Sequence, residues 1–215
     1  AYRSEGDPIH RLDIYRPIGP GPHPVILYVH GGGFRALSKE THWIMGLGFA
    51  RNGFLVFSID YRLAPAAPYP AALSDVCAAY TWVVGAADQY GGDPDRVVVS
   101  GESAGANLVT ALVLCTCYQR EEPWASAVYQ LGMVPRAAIP ACGILQVSDT
   151  ARFRRDEGVN MAFASVIEDA EDCYLGGAVG AAPLADPLLM VEELDAPDRP
   201  LPPFFLPVGG WDPLA

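Results

Sequence analysis

A serine held between two glycines, Gly101-Glu102-Ser103-Ala104-Gly105, is the stretch of this sequence whose residue types and spacing best suit chemistry. Ahead of it, Arg96-Val97-Val98-Val99-Ser100 reads as a short buried strand, and behind it Ala104 to Tyr118 reads as a helix. A strand-to-helix turn that tight leaves almost no room for a side chain two residues before or after the serine, where Gly101 and Gly105 stand. It presents the Ser103 hydroxyl at a helix N-terminus, where the helix dipole favours a developing negative charge. This is the pattern of a nucleophile elbow. Glu102, inside the turn, is expected to point away from Ser103 and to serve as a structural hydrogen-bond partner.

A second motif, His30-Gly31-Gly32-Gly33, follows the apolar run Pro24 to Val29, which reads as an interior parallel strand. Three consecutive glycines leave backbone N–H groups uncovered and let the chain come close to a ligand. Acyl transfer needs such donors aimed at the oxyanion of a tetrahedral intermediate. A phosphate-cradling loop would continue into Gly-Lys-Ser/Thr, and this one does not. Gly32, Gly33 and the N–H of Ala104 are the expected oxyanion donors, with Gly31 in the same loop. His30 is expected to brace the loop by hydrogen bonding rather than to act as a base, and Asp60 with Arg62 to form an internal ion pair behind it.

The elements that must position these groups alternate along the chain. Arg11 to Arg16 reads as an early antiparallel strand, Thr41 to Arg51 as a helix stopped by Asn52-Gly53, and Phe54 to Ile59 as a buried strand. Ala71 to Ala87 reads as a helix, Ala138 to Val147 as a strand and Phe204 to Val208 as another. Alternating strands and helices predict an α/β fold with a mostly parallel twisted sheet flanked by helices. Such sheets bind ligands at the carboxyl ends of their strands. The glycine loop after Val29, Ser103 after Ser100 and Asp212 after Val208 all fall there. Asp212 is therefore the expected acid that orients the base. Its rival, Asp186, stands in a second Asp-Pro-Leu triplet but follows no strand that would present it.

Composition sets the surroundings. The 215 residues, 51% of them apolar and 18% charged, predict one globular domain. The net charge of −11 argues against nucleic acid and anionic membranes as partners. The apolar helix from Ala104 to Cys117 is too short to span a bilayer. No signal peptide is visible at the N-terminus. Five cysteines, an odd count in apolar segments, read as free thiols in a reducing, cytoplasmic compartment. Cys115-x-Cys117 has the wrong spacing for a metal, and no metal or cofactor is expected. Oligomerisation is left open, a homodimer included.

With these motifs in place the chain resembles the hormone-sensitive-lipase-type esterases (bacterial lipase family IV) of the α/β-hydrolase superfamily. The resemblance runs through Leu12-Asp13-Ile14-Tyr15-Arg16-Pro17, His30-Gly31-Gly32-Gly33-Phe34, Asp60-Tyr61-Arg62-Leu63-Ala64-Pro65 and Tyr69-Pro70-Ala71-Ala72-Leu73. It continues through Gly91-Gly92-Asp93-Pro94, the elbow with Asn107, and Asp212-Pro213-Leu214. It implies an α/β-hydrolase core over 1–147, a partial helical cap over 148–200 and a return to the core over 201–215. It also implies a serine carboxylic ester hydrolase for short- to medium-chain acyl esters, a small-molecule substrate. Phe34, Trp43 and Tyr69 are candidate walls of an acyl pocket. A peptidase or arylformamidase is the nearest enzymatic alternative.

The general base has no candidate. α/β-Hydrolases order the triad Ser, then Asp or Glu, then His, yet His10, His23, His30 and His42 all precede Ser103. In the resembled family the histidine lies beyond one more strand and helix, so the chain reads as truncated before them. The alternative is a binding protein on the same fold without the base, as plant gibberellin receptors are.

Overall fold

The computed structural model describes residues 1–4, 6–149, 161–177, 182–193 and 195–210, with the backbone alone over 161–167. Five strands form the sheet: β1 (Leu12–Tyr15), β2 (His23–Val29), β3 (Leu55–Ile59), β4 (Gly92–Glu102) and β5 (Ala137–Ala141). Their order is β1-β3-β2-β4-β5, with β1 antiparallel to β3 and the rest parallel. The central strands β2 and β3 are predominantly apolar and buried from Val25 to Val29 and from Leu55 to Ile59, because helices cover both of their faces. Alternate residues part to the two sides: Val25, Leu27 and Val29 enter the larger core, while Ile26 and Tyr28 meet a smaller one under helix α1 (Trp43–Arg51). The larger core lies beneath α2 (Ala71–Ala86) and α3 (Ala104–Cys117). Every residue of α3 is buried, as expected of a helix running behind the elbow through the middle of the molecule.

Two helices escaped the sequence reading. One is α4 (Pro123–Gln130), which starts with proline at its first turn and packs on α2 and α3. The other is α6 (Pro187–Glu193), which packs on α3. A further helix, α5, spans Met161–Leu175. The strand expected from Ala138 to Val147 stops at Ala141, because Cys142 takes a left-handed φ of 49° that turns the chain out of the sheet. The Phe204 region runs beside β5 in parallel. Ala138 N–H donates to Pro203 O at 3.0 Å, and Phe205 N–H donates to Ala138 O at 2.9 Å.

The expected ion pair between Asp60 and Arg62 is replaced by two separate arrangements. The Arg62 guanidinium forks onto Asp75 of α2, Nε and Nη2 each 2.8 Å from a carboxylate oxygen. Asp60 instead accepts the backbone N–H of Lys39 at 2.8 Å and lies 3.8 Å from its Nζ. Opposite charge two positions apart was thus a poor guide to pairing. Asp75 is fully buried and gathers Arg62, Arg3 at 3.3 Å and His10 at 3.2 Å, which ties the N-terminal segment to the core. His10 and His42 are buried as well.

A buried carboxylate shared by two guanidinium groups leaves them uncompensated when its charge is removed. Asp75→Asn is expected to cost about 3 kcal/mol of stability, read as a lowered urea midpoint. A midpoint within error of wild type would contradict the hub.

Candidate active site

Ser103 sits between the end of β4 and the start of α3 with φ 53° and ψ −115°. That backbone region is sparsely populated by any residue with a side chain and costs of order 1–3 kcal/mol. The neighbourhood over-determines it. Ser103 N–H donates to Ala141 O at 2.9 Å, and Ser103 O accepts from Ala106 N–H and Asn107 N–H at 3.0 and 3.2 Å. A Cβ on Gly101 would collide with the backbone of Gly105, and one on Gly105 would strike the carbonyl oxygens of Val29 and His30. Both glycines are therefore dictated by backbone packed directly on backbone. The Ser103 hydroxyl is half-buried and has no hydrogen-bond partner among the described residues.

The glycine loop abuts this turn. A Cβ on Gly31 would lie 2.8 Å from Glu102 O and 3.3 Å from the Ser103 Cβ. Gly32 and Gly33 follow with φ of 117° and 59°, values a side chain would resist. The loop closes on itself as Arg35 N–H and Ala36 N–H donate to Gly32 O at 3.1 and 3.0 Å. Among the described residues, nothing accepts the N–H groups of Gly32 and Gly33. The first N–H groups of α3, Ala104 included, lack intrahelical partners by helix geometry. Donors without a described acceptor thus occur in the loop whose Gly31 abuts Ser103 and in the residue that follows Ser103.

Behind the loop, His30 is 1% exposed. Its Nδ1 lies 2.7 Å from Gly31 O, and since a carbonyl only accepts, that nitrogen carries the proton. Its ring stacks on Tyr61 at 4.3 Å between centroids, and the Tyr61 hydroxyl donates to His30 O at 2.9 Å. Burial lowers the His30 pKa to about 4, opposed by the hydrogen bond to Gly31 and aided by His42. His30 is therefore a neutral brace. Glu102, half-buried, lies near Tyr28, whose phenol is pushed up by burial first and by the Glu102 charge second.

Asp212 lies outside the described residues. Asp186 is buried in another role, accepting the N–H groups of Val147 and Ser148 at 2.5 and 3.0 Å. The Asn107 side chain, 2.8 Å from both Ile144 O and Ala185 O, clasps the same loop from α3. Of the suggested pocket walls, Phe34 is fully buried, Tyr69 partly so, and Trp43 is 53% exposed at the start of α1. Among the described residues no group of His, Cys, Asp and Glu gathers to hold a metal ion, and no helix is long and apolar enough to cross a membrane.

A family model described as the alpha/beta hydrolase fold matches residues 26–215. The chain belongs to this family. Two of its relatives are in Mycobacterium tuberculosis. Carboxylic ester hydrolase LipN is 39% identical over 132 residues, 59% of this chain and 35% of the relative. Carboxylesterase NlhH is 31% identical over 196 residues, 89% of this chain and 57% of the relative. Among solved α/β-hydrolases, an esterase of the bacterial hormone-sensitive lipase family superposes with a TM-score of 0.70 at 32% identity. That match covers 94% of this chain and 62% of the other. The hormone-sensitive-lipase-type resemblance read from the motifs is thus met again over most of the chain. The chain spans less than two thirds of the length of each of these hydrolases.

The lowered His30 pKa sets a pH dependence. The unfolded state binds a proton near pH 6.5 and the folded state only near 4, so stability present above 6.5 is lost as pH falls toward 4. The loss is of order 3 kcal/mol. Urea midpoints measured between pH 6.5 and 4 should fall less steeply for His30→Gln than for wild type; parallel curves would show that His30 is not the group concerned.

Proposed function

We propose that the full-length protein is a serine carboxylic ester hydrolase. The observation that carries this is the pair of unclaimed N–H groups on Gly32 and Gly33, in a loop whose Gly31 packs against Ser103. The Ser103 Oγ attacks the ester carbonyl and gives its proton to the base. The oxyanion is held by the N–H groups of Gly32, Gly33 and Ala104, the last at the positive end of α3. Collapse expels the alcohol, which takes that proton, and leaves an acyl-enzyme. Water, deprotonated by the same base, then releases the acid.

Asp212 is the proposed acid that orients the base. The base is proposed to be a histidine in the part of the family fold outside these 215 residues, since the triad order places it after the acid. Short- to medium-chain acyl esters are the proposed substrates, in keeping with relatives named carboxylic ester hydrolase and carboxylesterase. Helix α5 is proposed to act as part of a cap over the site. The five free thiols, three of them buried, favour a reducing, cytoplasmic location.

The full-length protein is expected to hydrolyse p-nitrophenyl butyrate, and Ser103→Ala to lose nearly all of that activity. Activity surviving in the variant would remove Ser103 from the mechanism. Tight binding of a small ligand by wild type with no turnover would favour the receptor-like alternative. Gly31→Ala forces the loop off the elbow and is expected to lower kcat about 10²-fold with little change in KM. An unaltered kcat would separate the loop from catalysis.

A further inference from the structure

The glycine loop is held from its far side by the end of helix α5. Phe34, directly after Gly33, takes a left-handed φ of 61°, an uncommon state for a bulky residue. It is fully buried, and its ring lies flat on that of Tyr174, with centroids 3.8 Å apart and planes 9° apart. Tyr174 is itself 0% exposed and wedged edge-on by Tyr69 at 5.8 Å. The seat is fixed by backbone as well: Tyr69 N–H donates to Tyr174 O at 2.7 Å, and Ala64 N–H donates to Phe34 O at 2.9 Å. One turn earlier in α5, the Ala170 Cβ lies 3.5 Å from where a Cβ on Gly33 would be. The exposed pair Arg35–Asp169, 3.5 Å apart, adds little by comparison.

Resting on the hydrolase reading, we propose that Tyr174 is a positioning residue for the oxyanion hole. Its ring clamps Phe34 in the left-handed conformation and so holds the N–H groups of Gly32 and Gly33 toward Ser103. The reason is local geometry. A bulky residue at positive φ relaxes toward ordinary backbone unless its surroundings prevent it, and relaxation at Phe34 would rotate the peptide planes just before it. The ring is what matters, because the Tyr174 hydroxyl has no hydrogen-bond partner among the described residues. The seat of α5 and the shape of the oxyanion hole are thereby coupled.

The test uses the full-length protein. Tyr174→Leu and Phe34→Leu each remove one ring of the stack but retain an apolar side chain. End-point titration of Ser103 with a fluorophosphonate counts the folded sites, so rates are compared per site. Each variant is expected to lose about 10²-fold in kcat on p-nitrophenyl butyrate with KM nearly unchanged. The inhibition constant of an alkyl trifluoromethyl ketone, whose adduct places an oxyanion in the hole, should rise by the same factor. Tyr174→Phe, which returns the ring without the hydroxyl, should restore both. Leucine variants with wild-type kcat per site would overturn the proposal, as would a loss of kcat without a parallel loss of ketone affinity. Wild-type protein that neither turns over the ester nor takes the phosphonate would overturn the hydrolase reading and this inference with it.

Discussion

Close approach of bare backbone is the constraint on which this site depends. At the carboxyl end of β2 and β4, the segments around His30–Gly31, Glu102–Ser103 and Gly105 come together chiefly through main-chain atoms. A methyl group at Gly31, Gly101 or Gly105 would meet a carbonyl oxygen. That contact sets the glycine loop directly against a strained serine. Its cost is local strain at Ser103 and at Phe34, non-glycine residues held at positive φ.

Rigid surroundings make that strain sustainable. The elbow is backed by α3, buried along its whole length, and pinned to β5 through Ala141 O. The glycine loop is backed by His30, whose burial keeps it neutral and whose Nδ1–H closes onto Gly31 O. Beyond the loop, Lys39 bridges to Asp60 and Asp13, holding the chain that leaves the site against β1 and the end of β3. The Asp75 cluster does the same for the segment around Arg62. Charged groups here serve mainly as braces, and the donors proposed for the chemistry are backbone N–H groups. Backbone donors suit the task because their direction is fixed by the fold rather than by a rotamer.

Much of this arrangement was legible in the residues. Gly101 and Gly105 about a serine, and three glycines after an apolar strand, can be read because sterics forbid nearly everything else at those positions. Strands β2 and β3 were legible for a similar reason: only a strand covered on both faces carries a predominantly apolar run. Less visible were α4 and α6, helices of only eight and seven residues, too short for a periodic pattern to stand out. The partner of Arg62 was misread because charge attraction has no sequence range; the choice fell to Asp75 once α2 had packed.

By itself, the sequence determined the local steric necessities: the elbow, the glycine loop, the alternation of strand and helix, and with them the family. The tertiary structure alone decided which side chains hold those pieces in register. Asp75 became a hub, Asp186 a loop clasp in place of a catalytic candidate, and Tyr174 a ring seated on Phe34 from 140 positions away along the chain. The reason is physical. A tight strand-to-helix turn announces itself as glycines at fixed spacing about one serine, whereas a buried pair depends on which surfaces the completed core brings within a few ångströms.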